Sequence, residues 1–548
     1  MTGTEYLQQL NEDQKEAVQS DSRSLQILAG PGSGKTRVLT TRVAWLVKEK
    51  DVRPSSIVVV TFTNKAAKEM KERLEQPTLL GFKRSAYLHM GTFHSFCAGI
   101  LRRHIDLTPL ERNFVIADAA KSKQLLTDIV KELEPHLQNK TGVKTQTASE
   151  YHLYISKAKS AGIDHHTYMA ENRGHFLKKY TAMVYTAYEE RLEAENMIDF
   201  DGLLLQGRNL LRDHPQVTDF VEHVLVDEFQ DTNALQYELL QLLTRHGEKA
   251  FTVVGDPDQS IFGWRDADKA HFGKMEADYK DTVIVDLKEN YRSTKFILQS
   301  ASHVVEKDKA RRPRHLFTNN HEGAPISLMK LETEVDEANA VAMEIKRILK
   351  YSNGLIGYKD IAVMFRMNFL TRNFEKAFTQ AKIPYVLVSG TRFLDRMEVK
   401  DVLSYLSFFY NSRDSVAFTR LINAPKRGLG DVSIKKILIC SRENGWTLLE
   451  TLQRILDKHP ATSHIRLLAK AREELNNLLK LQTEIQNKLN QKASIDIVLK
   501  HIVESISYFD YLKSNFEKDY ESREANVKEL IVFAQQHCED LVDESAYH

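Results

Sequence analysis

Short apolar runs alternate with amphipathic stretches along the first part of the chain. SLQILAG (24–30) leads through a glycine-rich turn into KTRVLTTRVAWLVKE (35–49), where apolar residues recur at helical spacing. IVVVTF (57–62) precedes NKAAKEMKERLEQ (64–76) in the same way. Apolar strands that alternate with helices are typical of βαβ units on a parallel sheet. The pattern therefore predicts an α/β fold.

The same rhythm returns later in three apolar runs, each followed by a helix-like segment. These runs are HVLVDE (223–228), FTVVGD (251–256) and TVIVDL (282–287). Between Leu101 and about Ile198 the pattern changes to long helical segments with few strand-like runs. We interpret this stretch as a helical insertion inside the first α/β domain.

A second alternation of strand-like and helix-like segments begins near Thr282. Its candidate strands are PISLMKL (325–331), DIAVMF (360–365) and PYVLVSG (384–390). From about Thr391 the chain is again mostly helical. The pattern predicts four parts: a first α/β domain at 1–101 and 199–281, its helical insertion at 102–198, the N-terminal part of a second α/β domain at 282–390, and a second helical insertion at 391–548.

Composition changes this picture only slightly. A chain of 548 residues is too long for one core. Lys plus Arg (76) and Asp plus Glu (75) nearly cancel, so any nucleic-acid site must be local and not a general basic coat. The densest basic run, KARRPRHLF (309–317), is interpreted as a solvated face.

Cysteine usage and the N-terminus indicate the compartment. Three cysteines, Cys97, Cys440 and Cys538, lie too far apart for a disulfide framework or a zinc spacing. The N-terminus lacks an apolar signal core, and no stretch is long or apolar enough to span a bilayer. We expect a soluble intracellular protein without a membrane partner, in the nucleus if eukaryotic and in the cytoplasm if bacterial.

The stretch LAGPGSGKT (28–36) follows a strand-like run and opens a helix, which is the context of a phosphate-binding loop. Its glycines allow successive N–H groups to face phosphate oxygens, and the helix N-terminus adds partial positive charge. Lys35 then reaches the β and γ phosphates, and Thr36 is a ligand for Mg²⁺. The generic pattern begins with glycine, where this chain has alanine. The candidate cofactor-binding residues here are Ala29, Gly30, Pro31, Gly32, Ser33, Gly34, Lys35 and Thr36.

A second motif, VLVDEFQD (224–231), places two carboxylates at the end of an apolar strand. Ligands of parallel sheets bind at such ends. Asp227 suits Mg²⁺, which prefers oxygen ligands, and Glu228 is then available to deprotonate the attacking water. Acidic residues alone would also be ordinary helix caps, so this prediction depends on the glycine-rich loop.

Together these motifs resemble the UvrD/Rep/PcrA-like helicases of superfamily 1. The resemblance covers nearly the whole chain in family order. The matching stretches are LNEDQ (10–14), AGPGSGKT (29–36), TFTNKAAKEM (61–70), GTFHSF (91–96), DFDGLL (199–204), VDEFQDTN (226–233), VGDPDQSIFGWRDA (254–267) and ENYRS (289–293), with weaker matches at 361–375, 398–406 and 422–430.

The resemblance implies a P-loop NTPase with two recombinase-like motor domains, each with a helical insertion, and ATP in the cleft between them. By resemblance, Gln14 reads the adenine edge, Arg37 lies near the nucleoside, and Tyr291 stacks on the base. Gln259 senses the γ phosphate, and Arg292 reaches it from the second motor domain. The catalytic set is then Lys35, Thr36, Asp227, Glu228, Gln259 and Arg292, with Thr36 and Asp227 as the Mg²⁺ ligands.

The resemblance also implies a path for single-stranded DNA. An aromatic face can hold any base by stacking, which suits a nearly neutral protein. We expect a DNA helicase that moves 3′ to 5′ on single strands and on single-strand/duplex junctions, with unidentified repair or recombination proteins as partners. The matching positions are Phe62, Asn64, His94, Phe262, Trp264 and Arg265, with Arg366 and Asn368 on weaker matches and Phe200 as a further aromatic contact.

One departure from the family pattern leads to a further expectation. The family continues with T-x-H-x-x-K-G-L-E and Y-V-A-x-T-R-A segments, and neither occurs in this sequence. We therefore expect the chain to be truncated before the last two motor motifs, with the second motor domain incomplete and one arginine for the γ phosphate missing. Two alternatives stay open: a catalytically impaired fragment that binds ATP and DNA, and an RNA helicase.

Overall fold

The computed structural model describes residues 5–138, 146–172, 176–263, 267–309, 311–388 and 393–545. Strands in this part of the chain are β1 (Ser24–Ala29), β2 (Ile57–Thr61), β3 (His89–Thr92), β4 (Val115–Ala117), β5 (Met197–Asp199), β6 (His223–Val226), β7 (Ala250–Gly255) and β8 (Val283–Leu287). The first helices are α1 (Glu5–Gln8), α2 (Glu12–Gln19), α3 (Lys35–Lys48), α4 (Asn64–Leu74), α5 (Phe82–Ser85), α6 (Phe93–Arg103), α7 (Ala119–Gln138), α8 (Ala148–Ser160), α9 (His165–Glu171), α10 (Phe176–Ala194), α11 (Phe200–Asp213), α12 (Ala234–Leu243), α13 (His271–Asp278) and α14 (Lys295–Val305). The later helices are α15 (Glu334–Tyr351), α16 (Thr371–Gln380), α17 (Met397–Tyr410), α18 (Ser415–Leu421), α19 (Asp431–Asn444), α20 (Leu448–Leu456), α21 (Ala469–Asn490), α22 (Ile495–Ser505), α23 (Tyr508–Asn515) and α24 (Tyr520–Ser545).

Six parallel strands form the central sheet in the order β3-β2-β6-β7-β1-β8. The residues of β1 and β2 are buried along their whole length, as expected for a parallel sheet covered by helices on both faces. The five apolar runs predicted as strands between 24 and 287 are all present, which confirms the α/β fold class. β3 was not predicted because its sequence, HMGT, is only half-buried and carries no apolar run.

The domain boundary at 281/282 stays a prediction, but β8, which follows it directly, lies in the first sheet. β8 pairs in parallel with β1, with Leu25 opposite Val283 and Ala29 opposite Leu287. This strand therefore belongs to the first sheet and not to a second one. The apolar pattern indicates that a strand exists. The sheet to which the strand belongs depends on a pairing between residues more than 250 positions apart, and the local pattern does not contain this information.

The three strands predicted after residue 282, at 325–331, 360–365 and 384–390, are a wrong prediction for the described residues. The structure assigns none of these segments to a strand, and residues 389 and 390 lie outside the described part. Several of their apolar side chains face solvent, with Leu328 95% exposed and Val388 98% exposed, whereas Ile361, Val363 and Phe365 are half-buried. An apolar run becomes a strand only when a neighbour satisfies its backbone hydrogen bonds. Around these segments, α15 and α16 pack on each other through a small apolar core.

Two helical blocks pack against each other at one side of the molecule. The first contains α7 to α10 with the two-stranded β4-β5 sheet, and the second contains α17 to α24. Lys121 of the first block donates to Asp414 of the second at 2.6 Å, and the hydroxyl of Ser415 donates to Glu195. In the described chain, no helix has both the length and the apolar character to cross a bilayer.

Candidate nucleotide and nucleic-acid site

Most candidate residues lie at one edge of the sheet, where the six parallel strands end. Ligands of open parallel sheets bind at this edge. The strand order separates two groups of residues along it, because β1, β6, β7 and β8 are adjacent and β2 and β3 lie to one side. The phosphate loop follows β1, Asp227 follows β6, Gln259 follows β7, Tyr291 follows β8, Phe62 follows β2 and His94 follows β3.

The phosphate loop turns sharply between β1 and α3. Gly32 and Gly34 have backbone φ angles of 65° and 89°, which glycine adopts without strain. No side chain in the described residues caps the N-terminus of α3, which begins at Lys35. The N–H groups of its first turn are therefore available to an anion, and the helix dipole favours one there.

Lys35 is folded back over this loop. Its ammonium donates to the carbonyl of Ala29 at 3.0 Å and to that of Gly30 at 3.4 Å. Burial lowers the pKa of Lys35, and the carboxylates of Asp256 and Glu228 partly oppose that shift. A cation thus sits among the loop carbonyls and the carboxylates at the strand ends.

The two carboxylates after β6 differ in environment. Asp227 is buried, and burial followed by the charge of Glu228 raises the pKa of Asp227 to about 7. Glu228 has a left-handed backbone with φ 50° and ψ 46°, a conformation that L side chains rarely adopt. Its carboxylate accepts a hydrogen bond from Gln230 at 2.8 Å, which fixes its orientation.

The donor set fits a magnesium ion of the kind that binds nucleotides. The Oδ1 atom of Asp227 is buried and has no hydrogen-bond partner among the described residues. No cluster of three or more His, Cys, Asp or Glu residues within the described ranges is placed to hold a metal ion. Mg²⁺ usually takes one or two carboxylates together with substrate phosphates and water, so Asp227 and the hydroxyl of Thr36 suffice.

Gln14 lies in α2 and contacts the phosphate loop directly. Its side chain is almost fully buried, and Nε2 donates to the carbonyl of Ser33 at 2.9 Å. Its Oε1 accepts from the backbone N–H of Asn11 at 3.2 Å, which completes a capping box at the start of α2. The side-chain amide of Gln14 is thus held rigidly at the rim of the loop.

Tyr291 and Arg37 lie beside this amide. The Tyr291 hydroxyl donates to Glu289 at 2.7 Å and accepts from the side chain of Asn11 at 2.7 Å. The ring is 49% exposed, so one face is available for stacking. Arg37 is exposed and donates to Gln9 at 2.9 Å. The structure therefore brings the predicted adenine-side residues together.

The loop after β7 carries Gln259 in a 3-10 turn, Pro257–Gln259. Gln259 donates to the carboxylate of Asp256 at 2.7 Å. The backbone N–H of Asp256 donates in turn to the side chain of Gln230 at 2.9 Å, the residue that also binds Glu228. One hydrogen-bonded chain therefore joins the candidate γ-phosphate sensor to the candidate base.

The candidate DNA residues form two aromatic pairs in which Phe200 is exposed and the other three rings are half-buried. The rings of Phe62 and Phe262 stack with centroids 5.2 Å apart and an interplanar angle of 30°. His94 meets Phe200 edge to face at 5.6 Å, and burial lowers the pKa of His94. Asn64 is exposed at the start of α4 beside Phe62. Residues that follow β2, β3, β7 and β5 thus contribute to one polar and aromatic surface.

Comparison with known protein families assigns the chain. Residues 10–280 match the UvrD/REP helicase N-terminal domain, and residues 285–544 match the UvrD-like helicase C-terminal domain. The chain belongs to the UvrD/REP helicase family. This confirms the resemblance inferred from the motifs and the P-loop NTPase motor fold that it implies.

Relatives of this helicase chain carry names of the same family. It is 36% identical over 538 residues to the ATP-dependent DNA helicase PcrA of Staphylococcus aureus, which covers 96% of this chain and 70% of the relative. It is also 36% identical over 535 residues to PcrA of Staphylococcus epidermidis, with coverages of 95% and 69%. The expectation of a truncated chain is not borne out by these matches, which include the C-terminal domain family over residues 285–544.

Four further predicted DNA residues of the helicase chain lie in two segments, after β7 and after α15. Trp264 and Arg265 lie outside the described residues, and so does the side chain of Asn368. Arg366 is exposed in the segment that follows α15, in the second α/β region. These positions stay predictions from the sequence.

Asn290 is a site residue of the helicase chain that the sequence analysis missed. Its side-chain amide donates to the carbonyl of Pro31, and its Oδ1 accepts from the backbone N–H groups of Arg292 and Ser293 at 3.0 and 2.7 Å. A Cβ atom added to Gly32 would lie 2.6 Å from the Cβ of Arg292. Asn290 therefore fixes the segment that carries Tyr291 and Arg292 directly on the phosphate loop. The only indication of this role in the sequence was that Asn290 lies within the matching stretch ENYRS.

The basic run 309–317 of the helicase chain is a solvated face only in part: Lys309 and Arg312 are exposed, whereas two of its arginines form ion pairs within the fold. Arg311 forms a bidentate pair with Asp258 at 2.8 and 2.9 Å. Arg314 is buried and donates to Asp256 at 2.9 Å and to Asp286 at 3.1 Å. These two arginines pair with carboxylates of the fold, and the local sequence could not show which carboxylates lie opposite them.

Proposed function

We propose that the chain is an ATP-dependent DNA helicase that moves 3′ to 5′ along single strands and acts at single-strand/duplex junctions. One observation carries this proposal. The single loop after β7 holds Gln259 on the nucleotide side, while its Phe262 stacks on Phe62 after β2. Such a loop can transmit a change at the phosphates to a surface that suits bases.

ATP binding is assigned to the phosphate loop and its neighbours. The N–H groups at the start of α3 and the ammonium of Lys35 bind the phosphates. Gln14 and Tyr291 lie at the rim, where an amide and a half-exposed ring can hold an adenine by hydrogen bonding and stacking. Arg37, exposed beside them, lies near the nucleoside.

Asp227 and Thr36 would hold magnesium, the implied cofactor, which when bound would neutralise phosphate charge. The buried Oδ1 atom of Asp227, which has no partner among the described residues, supports this assignment.

Hydrolysis is assigned to Glu228, Gln259 and Arg292. Glu228 accepts a proton from the attacking water, since its carboxylate is held in place by Gln230. Gln259 and Arg292 contact the γ phosphate and stabilise its charge as the bond breaks. Arg292 lies against the phosphate loop through the contact of its Cβ with Gly32.

DNA binding is assigned to the aromatic pairs after β2, β3 and β7. Stacking contributes about 1–3 kcal/mol per base and is independent of sequence. A net charge of +1 leaves little general attraction for phosphates, so stacking has to supply much of the affinity. Phe62, Phe262, His94 and Phe200 provide the rings, and Asn64 provides a polar contact.

The test compares ATP turnover without nucleic acid, with single-stranded DNA and with RNA of the same sequence, followed by unwinding of duplexes with a 3′ or a 5′ single-stranded tail. We expect stimulation by DNA and unwinding from the 3′ tail. Stimulation by RNA alone would instead support an RNA helicase. Binding of ATP and DNA without turnover would support a catalytically impaired protein.

A further inference from the structure

Two arginines from the basic run, Arg311 and Arg314, form ion pairs with carboxylates of the loop that carries Gln259. Arg311 binds both carboxylate oxygens of Asp258, with both side chains at most 14% exposed. Arg314 donates from Nη1 to Asp256 and from Nε to Asp286, which belongs to β8. The segment after α14 is thereby tied to the ends of β7 and β8, which lie on either side of β1 in the first sheet.

The Arg314 pair is the more unusual of the two because it is withdrawn from water. The side chain of Arg314 is 4% exposed and that of Asp256 is 0% exposed. The Nη2 atom of Arg314 is buried and has no hydrogen-bond partner among the described residues. A buried ion pair is weak evidence for stability, because the desolvation of both charges offsets their attraction, and here one guanidinium nitrogen is also left unpaired.

Asp256 is the junction between this arginine and the proposed hydrolytic residues. One of its carboxylate oxygens accepts from Arg314, and the other accepts from Gln259. Its backbone N–H donates to Gln230, which donates to Glu228. A shift of Asp256 therefore moves both the γ-phosphate sensor and the base.

The segment after Arg314 also contacts the phosphate loop itself. A Cβ atom added to Gly30 would lie 2.8 Å from a methyl carbon of Leu316, so Leu316 covers this glycine. The carbonyl of Phe317 accepts from the backbone N–H of Asn290, which binds Pro31 through its side chain. Residues 311–317 thus touch the phosphate loop and the Gln259 loop together.

We propose that Arg314 is a positioning residue for ATP hydrolysis. It fixes Asp256, and through Asp256 it sets Gln259 and Glu228 relative to the phosphate loop. This inference rests on the proposed function of the same site. Arginine suits the task because its planar fork donates to two carboxylates at fixed angles, whereas a lysine ammonium is a single point charge.

The experiment compares Arg314→Gln and Arg314→Lys with Arg312→Gln. Arg312 is the matched control, because it lies in the same run but forms an exposed pair with Glu276 at 3.1 Å. For each full-length variant we would measure the thermal midpoint, equilibrium binding of a fluorescent ATP analogue, and kcat and KM of the DNA-stimulated ATPase.

We expect kcat of Arg314→Gln to fall by about 10- to 100-fold, the size of effect that a displacement of reacting groups by about 1 Å produces. Binding of the ATP analogue should be unchanged, the lysine variant should recover part of kcat, and the control should behave like wild type. An unchanged kcat would overturn the proposal, as would a parallel loss of ATP binding that lysine does not restore.

A double variant tests whether the effects of Arg314 and Gln259 on kcat are coupled. If Arg314 acts through the Gln259 loop, Arg314→Gln/Gln259→Ala should lose less activity than the product of the two single losses. Losses that multiply would mean that Arg314 acts elsewhere and would overturn the proposal. If the glutamine variant does not fold, Arg314→Lys decides alone: a lower kcat with unchanged ATP binding supports the proposal, and a wild-type kcat overturns it.

The two proposals fail differently in this experiment. A wild-type chain that hydrolyses ATP with DNA while the Arg314 variants match it refutes the positioning role and leaves the helicase function intact. A wild-type chain without turnover on any nucleic acid refutes the helicase function, and the positioning role with it.

Discussion

The two halves of the same sheet edge are built in opposite ways. On the nucleotide half, polar groups are buried and hydrogen-bonded: Gln230 and Asn290 are 2% exposed and Asp256 is 0% exposed. On the DNA half, apolar groups face solvent: Phe200 is 47% exposed and Ile261 is 73% exposed. The two halves meet at the loop after β7.

The proposed function explains this difference by what each half would bind. Phosphoryl transfer needs donors and charges that are already oriented in a site of low dielectric, since reorientation during the reaction costs activation free energy. A translocating strand needs contacts that every base can make and release, which flat rings provide. A substitution on one half should therefore change a property that a substitution on the other half leaves alone.

The largest effect is expected for Glu228→Gln, which keeps the shape of the side chain and removes the base. We expect kcat for ATP hydrolysis to fall by about 10²–10⁴-fold, the usual contribution of general base catalysis. Binding of ATP and DNA should be retained. Glu248→Gln, an exposed glutamate near the opposite end of β7, is the control. A normal turnover number in Glu228→Gln would remove Glu228 from the mechanism.

A smaller effect is expected for Lys35→Ala. A hydrogen bond to a charged group contributes about 1.5–3 kcal/mol, so ATP affinity should fall by roughly 10- to 100-fold. Single-stranded DNA binding without nucleotide should not change. Lys48→Ala at the last turn of the same helix, where the ammonium donates to Thr78, is the control. Titration of a labelled ATP analogue measures the effect, and equal affinity in both variants would contradict the assignment of the loop.

The smallest effect is expected for Phe262→Ala. Single-stranded DNA binding should weaken by about 1–3 kcal/mol, with ATP affinity unchanged. The salt dependence of binding should stay the same, because stacking releases few counterions. We expect the same changes in DNA affinity, ATP affinity and salt dependence for Trp264→Ala. Phe82→Ala, a half-exposed ring on α5, is the control. If DNA affinity is retained in Phe262→Ala, then Phe262 only packs on Phe62 and does not contribute to DNA binding.

Much of the first domain could be predicted because its signals are local. The strand, turn and helix around Lys35 occupy one continuous stretch, and so does the apolar run that ends at Asp227. Motif order then indicated the family. The residues that join these motifs were not predictable, since Asn290 reaches Pro31 and Arg314 reaches Asp256 across long separations in sequence.

The failures in the second α/β region have the same origin. PISLMKL and DIAVMF have the composition of strands, yet in the described residues they form none, and Leu328 is exposed. TVIVDL does form a strand, but in the first sheet, beside β1. A strand is a property of a pair of segments, and one segment of sequence holds only half of that information.

The left-handed backbone of Glu228 has a consequence for the stability of the fold. A glycine there would adopt φ 50° freely, whereas a side chain costs of order 1–3 kcal/mol in a sparsely populated region. Under the proposed function, Glu228 is kept at a cost in stability for the sake of activity. We therefore expect Glu228→Gly to raise the free energy of unfolding and to abolish ATP turnover, which thermal denaturation and an ATPase assay would measure.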